Sequence, residues 1–364
     1  MHDAEAKRVL ITRGASTGER CPPILMIVGT GRSGTTLLEK VLGSYGGAVA
    51  IGEARYLWER GFLANHLCSD GIPFRDHPLW KAILCRAFSA SPDPRIQERL
   101  RHRVEHSRWL PLLMLGGRRH DVDLYCETWR RLFRAIAVQT QARVIVDASK
   151  SPVRAWLLRS RGLDVRVVHI VRDLEGVIAS WSRPKADPGS GGFLSTKGPL
   201  VTALFWTLHH VLSALLLART AYTRIDLDSF LEAPLETTRR LWTALDLEEP
   251  GPSSFVDRRH FRAKPDLAFS GNPDRFTTGI VEVRQPMACG KAPSFFLGLL
   301  GRAVMHWLRP RREHPGRPDL VVKVDSGDKP RLAPDPRPNV DPSQLTISRR
   351  LSSVTRAAST KRAR

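Results

Sequence analysis

Cysteine is scarce in this chain of 364 residues. The five cysteines are scattered, form no C-x-x-C pair and have no histidine at zinc-finger spacing. An odd number of scattered cysteines predicts the reduced thiols of an intracellular protein, and it argues against a disulfide framework or a metal site. We therefore expect a protein that needs no metal.

The sequence also has no apolar segment near its N-terminus, so a secretory signal is not expected. The longest apolar run, residues 200–218, contains His209 and His210 and is flanked by polar sequence. These features predict a buried helix and not a transmembrane span. The expected location of the protein is the cytoplasm.

Acidic residues are few relative to basic ones. Lys and Arg number 57 and Asp and Glu number 36, which gives a formal charge of +21. This excess predicts an anionic partner: a phosphate-rich small molecule, a nucleic acid or an acidic membrane surface. The hydrophobic fraction of 42% suffices for a core and excludes global disorder.

The two ends of the chain differ from its middle. Residues 1–21 are expected to be a flexible lead-in, and the basic, proline-rich residues 305–364 a disordered tail. The alternative for the tail is an arm that touches nucleic acid or lipid headgroups. One domain is expected over residues 22–304, with its C-terminal limit left open after residue 286.

Three short apolar runs, residues 24–28, 144–146 and 165–171, each end in a polar turn and are followed by a helical pattern. Repeated strand–turn–helix units predict an α/β protein, a three-layer fold of the P-loop type around a central, mostly parallel sheet. Helical patterns over residues 55–141 predict a helical insertion or cap. Ligands are expected where the three turns converge, at the carboxyl ends of the strands.

The first turn reads G-T-G-R-S-G-T-T from Gly29 and fits the P-loop pattern, except that Thr35 stands where the lysine belongs. Backbone N–H groups and a helix N-terminus still converge on an anion there. The missing lysine removes the charge that reaches the β- and γ-phosphates of a nucleoside triphosphate. The turn predicts phosphate binding without ordinary triphosphate chemistry, with Arg32 as its cation; the alternative is a tight turn that binds nothing.

The third turn carries a second cation. Arg172 follows the apolar run at 165–171, and Ser180 stands eight residues on, in the next helix. A guanidinium and a hydroxyl in these places can hold a second phosphate. The alternative is that Arg172 pairs with Asp173 and that Ser180 is only a small helix residue.

Together the two motifs resemble those of the sulfotransferases that use 3′-phosphoadenosine 5′-phosphosulfate (PAPS). Within that family the sequence is similar to bacterial sulfotransferases that share R-S-G-T-T with the tyrosylprotein sulfotransferases. The stretches D-A-S-K-S-P from Asp147 and S-G-N-P-D-R-F from Ser270 are typical of this group. The resemblance covers roughly residues 22–286; after about Val283 the chain departs from the pattern of its relatives.

The resemblance implies PAPS as sulfate donor, an acceptor of unknown identity and no metal. The donor-binding residues that the two motifs imply are Arg32, Ser33, Gly34, Thr35, Thr36, Arg172 and Ser180. The polar loop near residue 270 adds three candidates, Ser270, Asn272 and Arg275. Trp181 and Phe276 are candidates for stacking on adenine.

Catalytic roles follow from the same resemblance. Lys150 stands where relatives place a lysine at the bridging oxygen, and Glu53, in G-E-A-R, resembles the glutamate that serves as base. We expect burial to raise the pKa of Glu53. The alternatives are a surface role for Lys150 and an ion pair of Glu53 with Arg55. His169 is expected to face the core.

Two other functions compete with sulfuryl transfer. A P-loop kinase or NTPase is suggested by the apolar residues 144–146 followed by Asp147, because such a strand often ends in an Mg²⁺ ligand. A nucleic-acid binder would explain the charge but not the two phosphate turns. The sequence does not identify the acceptor. Residues 55–141 and the Gly- and Ser-rich loop 184–199 are expected to shape the acceptor pocket, and the loop is expected to act as a lid.

Overall fold

A computed structural model describes residues 21–189, 191–217, 221–284 and 295–307 of the chain. The lead-in predicted over residues 1–21 lies outside these ranges except for Cys21, and the predicted tail lies outside them from residue 308 onwards. Both assignments remain predictions.

A parallel sheet of five strands forms the centre of the fold. The strands of the chain are β1 Ile24–Val28, β2 Ala48–Ala50, β3 Val144–Lys150, β4 Val165–Val171, β5 Lys185–Asp187, β6 Gly192–Leu194, β7 Tyr222–Asp226, β8 His260–Ala263 and β9 Gly279–Glu282. The central sheet has the order β2-β3-β1-β4-β7, and every neighbouring pair in it is parallel. The predicted α/β class with a central parallel sheet is confirmed.

Helices cover both faces of this sheet. They are α1 Thr35–Gly43, α2 Pro78–Ala87, α3 Pro94–Val104, α4 Leu110–Met114, α5 Arg119–Thr140, α6 Pro152–Ser160, α7 Leu174–Trp181, α8 Pro199–Leu217, α9 Leu227–Glu232, α10 Pro234–Ala244 and α11 Phe295–Trp307. A short 3₁₀ turn at Ala54–Tyr56 and a π-helix at Leu57–Leu63 follow β2.

The strand β1 shows why the sheet is buried on both sides. All five of its residues are inaccessible to solvent. Ile24, Met26 and Val28 join the core that contains the cap, whereas Leu25 and Ile27 join the core under α1 and α10. A strand covered on both faces has no polar side, which is the continuous apolar pattern of a central parallel strand.

The insertion predicted over residues 55–141 is helical. Its aromatic residues Trp58, Trp80 and Trp129 are buried, and they belong to the same core cluster as Ile24 of the central sheet. The insertion is therefore part of the main core on one face of the sheet.

The structure contains short strands that the sequence did not predict. The loop 184–199 contains the antiparallel hairpin β5–β6, and β8 and β9 form a second antiparallel pair. The strand β2 was not predicted either. Strands of three or four residues are too short to show a periodicity, so only their partners reveal them.

The helix α8 matches the predicted apolar run, but only one of its faces is buried. By length and composition alone it could cross a membrane, and within the described ranges no other helix passes that test. The core helices of soluble proteins pass the same test, and α8 packs against α6, α7 and α11. The expected burial of the whole helix is wrong, because its other face is exposed.

Candidate active site

The order of the strands brings the three predicted turns together. In the parallel register, Val28 at the end of β1 is paired with Lys150 at the end of β3 and with His169 near the end of β4. The turn after β1 therefore lies between the turns that follow its two neighbours. The convergence predicted from the sequence is present in the fold.

The turn between β1 and α1, residues 29–34, is called the phosphate loop here. Arg32 has φ 71° and Gly34 has φ 80°, so the backbone enters the left-handed region twice before the helix begins. No side chain caps the N-terminus of α1. Because the first N–H groups of a helix have no partner within it, this end of α1 can bind an anion.

Close packing fixes the shape of the phosphate loop. A Cβ atom on Gly29 would lie 2.6 Å from the carbonyl oxygen of Ile170, and one on Gly31 would lie 2.7 Å from the Trp181 ring. Ser33 is buried, and its hydroxyl is 2.6 Å from that of Thr30. The predicted loop residues Thr35 and Thr36 are buried in the first turn of α1.

Arg172 lies against the phosphate loop. Its Nη1 atom donates a hydrogen bond to the carbonyl oxygen of Arg32 at 3.1 Å. The alternative partner Asp173 is 4.0 Å from its Nε atom, and that carboxylate accepts a bond from the N–H of Gly176 at the start of α7. The contact with the loop is thus closer than the ion pair with Asp173. Ser180 is half-buried near the end of α7.

Trp181 forms one wall of the phosphate loop. Its indole Nε1 donates to the carbonyl oxygen of Gly31 at 3.1 Å, and the Arg32 guanidinium lies 5.7 Å from the centre of its ring. The Nη2 atom of Arg32 is buried and has no hydrogen-bond partner among the described residues. Burial lowers the pKa of Arg32, which the charge of Asp274 partly offsets. A half-buried arginine beside a helix N-terminus, with its Nη2 atom unpartnered among the described residues, suits an anionic ligand.

Glu53 and Lys150 form an ion pair next to the phosphate loop. Lys150 Nζ donates to Glu53 Oε1 at 2.5 Å, and Arg60 Nη1 lies 3.7 Å from Glu53 Oε2. Burial acts to raise the pKa of Glu53, but the charges of Lys150 and Arg60 outweigh it, so the pKa is lowered. The expected rise of this pKa is wrong. Arg55, the partner considered from sequence, pairs instead with Glu105 at 3.0 Å.

Two residues not predicted from the sequence hold this pair in place. Glu39, buried in α1, accepts a hydrogen bond from the N–H of Gly52 at 2.6 Å and so positions the turn that carries Glu53. Arg60 bridges Glu53 and the hydroxyl of Ser270, to which it donates at 2.8 Å. Neither residue belongs to a motif, and only the contact between distant segments reveals them.

The loop 270–276 lies beside Glu53. A Cβ atom on Gly271 would be 3.4 Å from Glu53 Oε1. Asn272 Nδ2 donates to Asp274 at 2.7 Å, while its buried Oδ1 has no partner among the described residues. Arg275 is buried and donates to Asp187 at 3.1 Å and to the Gly271 carbonyl at 3.0 Å, which ties the loop to the β5–β6 hairpin.

Two residues of the loop 270–276 that were predicted to bind the donor, Ser270 and Arg275, contact other residues of the protein. The Arg275 guanidinium stacks on Phe276, 4.3 Å from its ring centre. Ser270 bonds to Arg60, as described above. The contacts of Ser270 and Arg275 are structural, and roles of Ser270, Asn272 and Arg275 toward a donor stay predictions, as does adenine stacking by Trp181 or Phe276.

Three histidines near the sheet, His169, His209 and His210, have pKa values lowered by burial. His169 Nε2 is 2.7 Å from His210 Nδ1, and His169 Nδ1 is 2.5 Å from the Tyr222 hydroxyl. Burial and the neighbouring histidines lower the pKa values of His169 and His210 far below the usual range. Burial lowers the pKa of His209 to about 4, with the charges of Arg55 and Lys150 contributing.

Asp147 is engaged with a buried arginine. Its Oδ2 accepts from Arg154 Nε at 3.2 Å and from Nη2 at 3.0 Å, and its Oδ1 accepts from the N–H of Ser149 at 2.9 Å. Both side chains are fully buried. Binding of Mg²⁺ by Asp147 would break these bonds and leave Arg154 with Glu105, 3.5 Å away, as its remaining carboxylate. This observation disfavours the kinase or NTPase alternative.

Among the described residues, one group has ligand atoms close enough for a metal ion: Cys68, Asp70 and His77, within 4.8 Å of one another. His77 already uses both ring nitrogens, one toward the N–H of Trp80 and the other toward Asp70 at 3.2 Å. Burial raises the pKa of the Cys68 thiol to about 12. His77 is thus the N-terminal cap of α2, and it lies beside the neutral thiol of Cys68. These roles account for the group without a metal ion.

No family model and no curated protein matches the sequence. Among solved structures, the sulfotransferase domain from the curacin biosynthetic pathway aligns at 16% identity over 82% of this chain and 95% of that chain, with a TM-score of 0.40. The sulfotransferase domain from the Synechococcus olefin synthase aligns at 15% identity over 81% and 98%, with a TM-score of 0.43.

A sulfotransferase from Mycobacterium tuberculosis aligns at 14% identity over 68% of this chain and 71% of that chain, with a TM-score of 0.39. Likenesses at this level of identity and TM-score do not show a family. The function has to be argued from the residues around the phosphate loop.

Proposed function

We propose that the protein is a sulfotransferase that moves a sulfuryl group from PAPS to a hydroxyl or amine of an acceptor. The observation that supports this most is the ion pair of Lys150 and Glu53 beside a phosphate loop that has no lysine of its own. A cation at the end of β3 and a carboxylate in the turn after β2 match the two tasks of sulfuryl transfer. Those tasks are to neutralise the leaving phosphate and to remove the acceptor proton.

The donor would be held at two places. The N-terminus of α1 and the hydroxyls of Ser33, Thr35 and Thr36 belong to the site for the 5′-phosphosulfate, with Arg32 as its cation. Arg172 and Ser180 belong to the site for the 3′-phosphate. The position of Arg172 against the Arg32 carbonyl supports this role, since both phosphates of one nucleotide must be reached from one crevice.

The reaction forms one bond and breaks another. The acceptor oxygen or nitrogen bonds to sulfur while the bond between sulfur and the bridging oxygen breaks, and the electron pair remains on the phosphate. Lys150 stabilises the charge on that oxygen, and Glu53 takes the proton of the acceptor. The lowered pKa keeps Glu53 ionised at neutral pH, so it is ready to accept a proton. No metal is needed in this scheme.

Calorimetry with adenosine 3′,5′-bisphosphate tests the donor assignment. We expect low-micromolar binding, and Arg172→Ala should weaken it far more than it weakens binding of AMP, which lacks the 3′-phosphate. Arg166→Ala is the matched control, because Arg166 lies at the opposite end of β4 and pairs with Asp164 at 2.7 Å. Absence of bisphosphate binding by the unmodified protein would overturn the proposal. Magnesium-dependent ATP turnover in its place would favour a kinase or NTPase.

The acceptor requires a direct screen. Sulfur-labelled PAPS offered with carbohydrates, lipids, tyrosine peptides and small phenols would show which class accepts the label. The predicted cytoplasmic location remains part of this proposal, whereas nucleic-acid binding does not, because it leaves the two phosphate turns unexplained.

A further inference from the structure

The exposed face of α8 is apolar over most of the length of the helix. Six large apolar side chains stand on it: Leu200, Val201, Leu204, Phe205, Leu208 and Leu215. Leu200 is 75% exposed and Leu204 is 69% exposed. Residues spaced by three, four and seven positions share one side of a helix, so these side chains form a continuous apolar face. We call it the α8 apolar face.

The polarity of α8 is the reverse of that of an ordinary surface helix. The residues that face the protein include Thr202, His210 and Ser213, all of them buried. Trp206 on the same side donates its indole N–H to the Arg172 carbonyl at 3.0 Å. A surface helix in water normally turns its polar side outward, and large exposed apolar patches mark sites of interaction. The α8 apolar face has the character of an interaction surface.

The charge around this face indicates which partner. Neither residues 188–217 nor residues 295–307 contain an Asp or Glu, whereas Lys197 and Arg302 lie in them. The helix α11 packs against α7 and α8, and the first basic residue that follows it in the sequence is Arg309. In residues 305–364, Lys and Arg are more than twice as numerous as Asp and Glu. The helix α11, which packs against α8, is thus followed in the sequence by a segment of basic composition.

We propose that the α8 apolar face docks on an anionic lipid bilayer, lying in the plane of the membrane surface. An apolar helix face combined with nearby basic residues is the chemistry that binds such surfaces, with the apolar side chains entering the boundary between headgroups and acyl chains. A net charge of +21 favours an anionic surface and opposes pairing with a second copy of the chain. The helix does not span the bilayer, because its other face is part of the protein core.

The docked face adjoins the candidate active site. Lys197 Nζ lies 5.1 Å from the ring centre of Trp181 and 5.1 Å from that of Phe205. Trp181 in turn bonds to the phosphate loop. Docking through α8 would bring the mouth of the site to the membrane surface. The docking itself does not depend on the proposed chemistry.

Co-sedimentation of the full chain with vesicles tests this proposal. The vesicles consist of phosphatidylcholine with or without phosphatidylglycerol. We expect binding to the vesicles that contain phosphatidylglycerol, and a loss of affinity on the order of tenfold or more in Leu200→Glu/Leu204→Glu. The control is Met114→Glu/Leu115→Glu, at two apolar residues of the cap that are 63% and 87% exposed. This control should bind as the unmodified protein does.

Three results would overturn the proposal. The first is equal binding by the α8 variant and the unmodified protein, and the second is an equal loss in the cap control. The third is a dimer that the α8 variant dissociates while no vesicles bind, which would assign the face to a second copy. Calorimetry with adenosine 3′,5′-bisphosphate on the α8 variant should be unchanged. The calorimetry measures donor binding and the co-sedimentation measures docking, so failure of one is distinguished from failure of the other. Leu215→Glu is a second variant of the same face, for use if the double substitution does not fold.

Discussion

Arg172 donates a hydrogen bond to the backbone carbonyl of Arg32 at 3.1 Å, which joins the turn after β4 to the phosphate loop. Arg32 has a left-handed backbone with φ 71°, a conformation that costs a non-glycine residue about 1–2 kcal/mol. The bond from Arg172 helps to stabilise that conformation. The guanidinium proposed to bind the 3′-phosphate thus contacts the loop proposed to bind the 5′-phosphosulfate, so the two proposed donor sites are not independent of each other.

Glu53→Gln tests the proposed base. The amide has nearly the shape of the carboxylate but cannot take a proton at neutral pH, so we expect sulfuryl transfer to slow by roughly 10²–10⁴-fold. Binding of adenosine 3′,5′-bisphosphate should change little. The label transferred from sulfur-labelled PAPS to the best acceptor of the screen measures the rate. Glu59→Gln is the control, since Glu59 pairs with Arg101 on the cap; a similar slowing in both variants would remove Glu53 from the mechanism.

Lys150→Met should change the pH dependence of the reaction as well as its rate. Without the lysine charge, burial is opposed mainly by the more distant Arg60, and the pKa of Glu53 rises. A base with a higher pKa is protonated at higher pH, so the acid limb of the profile of kcat/KM against pH should move upward. The control is Lys81→Met, because Lys81 is exposed on α2. An acid limb that stays in place, with only the rate reduced, would separate Lys150 from Glu53.

Gly34→Ala tests the shape of the phosphate loop. Gly34 has φ +80°, and an added Cβ atom would lie 2.4 Å from Leu227 Cδ1 in the core. Gly71 has φ +85°, and nothing lies within 4 Å of a Cβ atom added there. Gly71→Ala therefore has the cost of a left-handed backbone at alanine but no steric contact like that with Leu227. Denaturant unfolding should show a loss of about 1–2 kcal/mol in Gly71→Ala. The loss in Gly34→Ala should be larger by about 1 kcal/mol or more, together with weaker bisphosphate binding. Equal losses would mean that Leu227 gives way freely.

Glu39→Gln should alter how stability depends on pH. Burial, and next to it the charge of Asp266, raise the pKa of Glu39 well above its usual 4.5. The folded state then binds this proton more tightly than the unfolded chain does. Its contribution to stability is complete below the unfolded pKa and is lost as pH rises toward the folded pKa. Glutamine keeps an oxygen for the Gly52 N–H and removes the proton.

We therefore expect Glu39→Gln to be relatively more stable than the unmodified protein as the pH rises above 4.5. Free energies of unfolding measured across a pH series check this. Glu236→Gln, at a half-exposed residue of α10 that pairs with Arg240 at 2.8 Å, is the matched control. A variant whose stability declines with pH as steeply as that of the unmodified protein would contradict the assignment of this proton to Glu39.

Strands and helices with a long, consistent pattern were predicted closely from the sequence. The bounds of β1 and β4 agree with the predicted runs at residues 24–28 and 165–171. The hairpin strands and β2 were missed because each has only three or four residues. The exposed face of α8 was also missed, since an apolar run shows that a helix is apolar but not which side of it is covered.

The sequence alone determined the parallel sheet and the phosphate loop, because runs of apolar residues and the order of glycines act over a few neighbouring positions. The pairing of Glu53 with Lys150, 97 residues away, and of Asp147 with Arg154 is seen only in the folded chain. The direction of the pKa shift of Glu53 is likewise set by the fold. These outcomes depend on which strands are neighbours in the sheet, and charges interact according to distance in space and not along the chain.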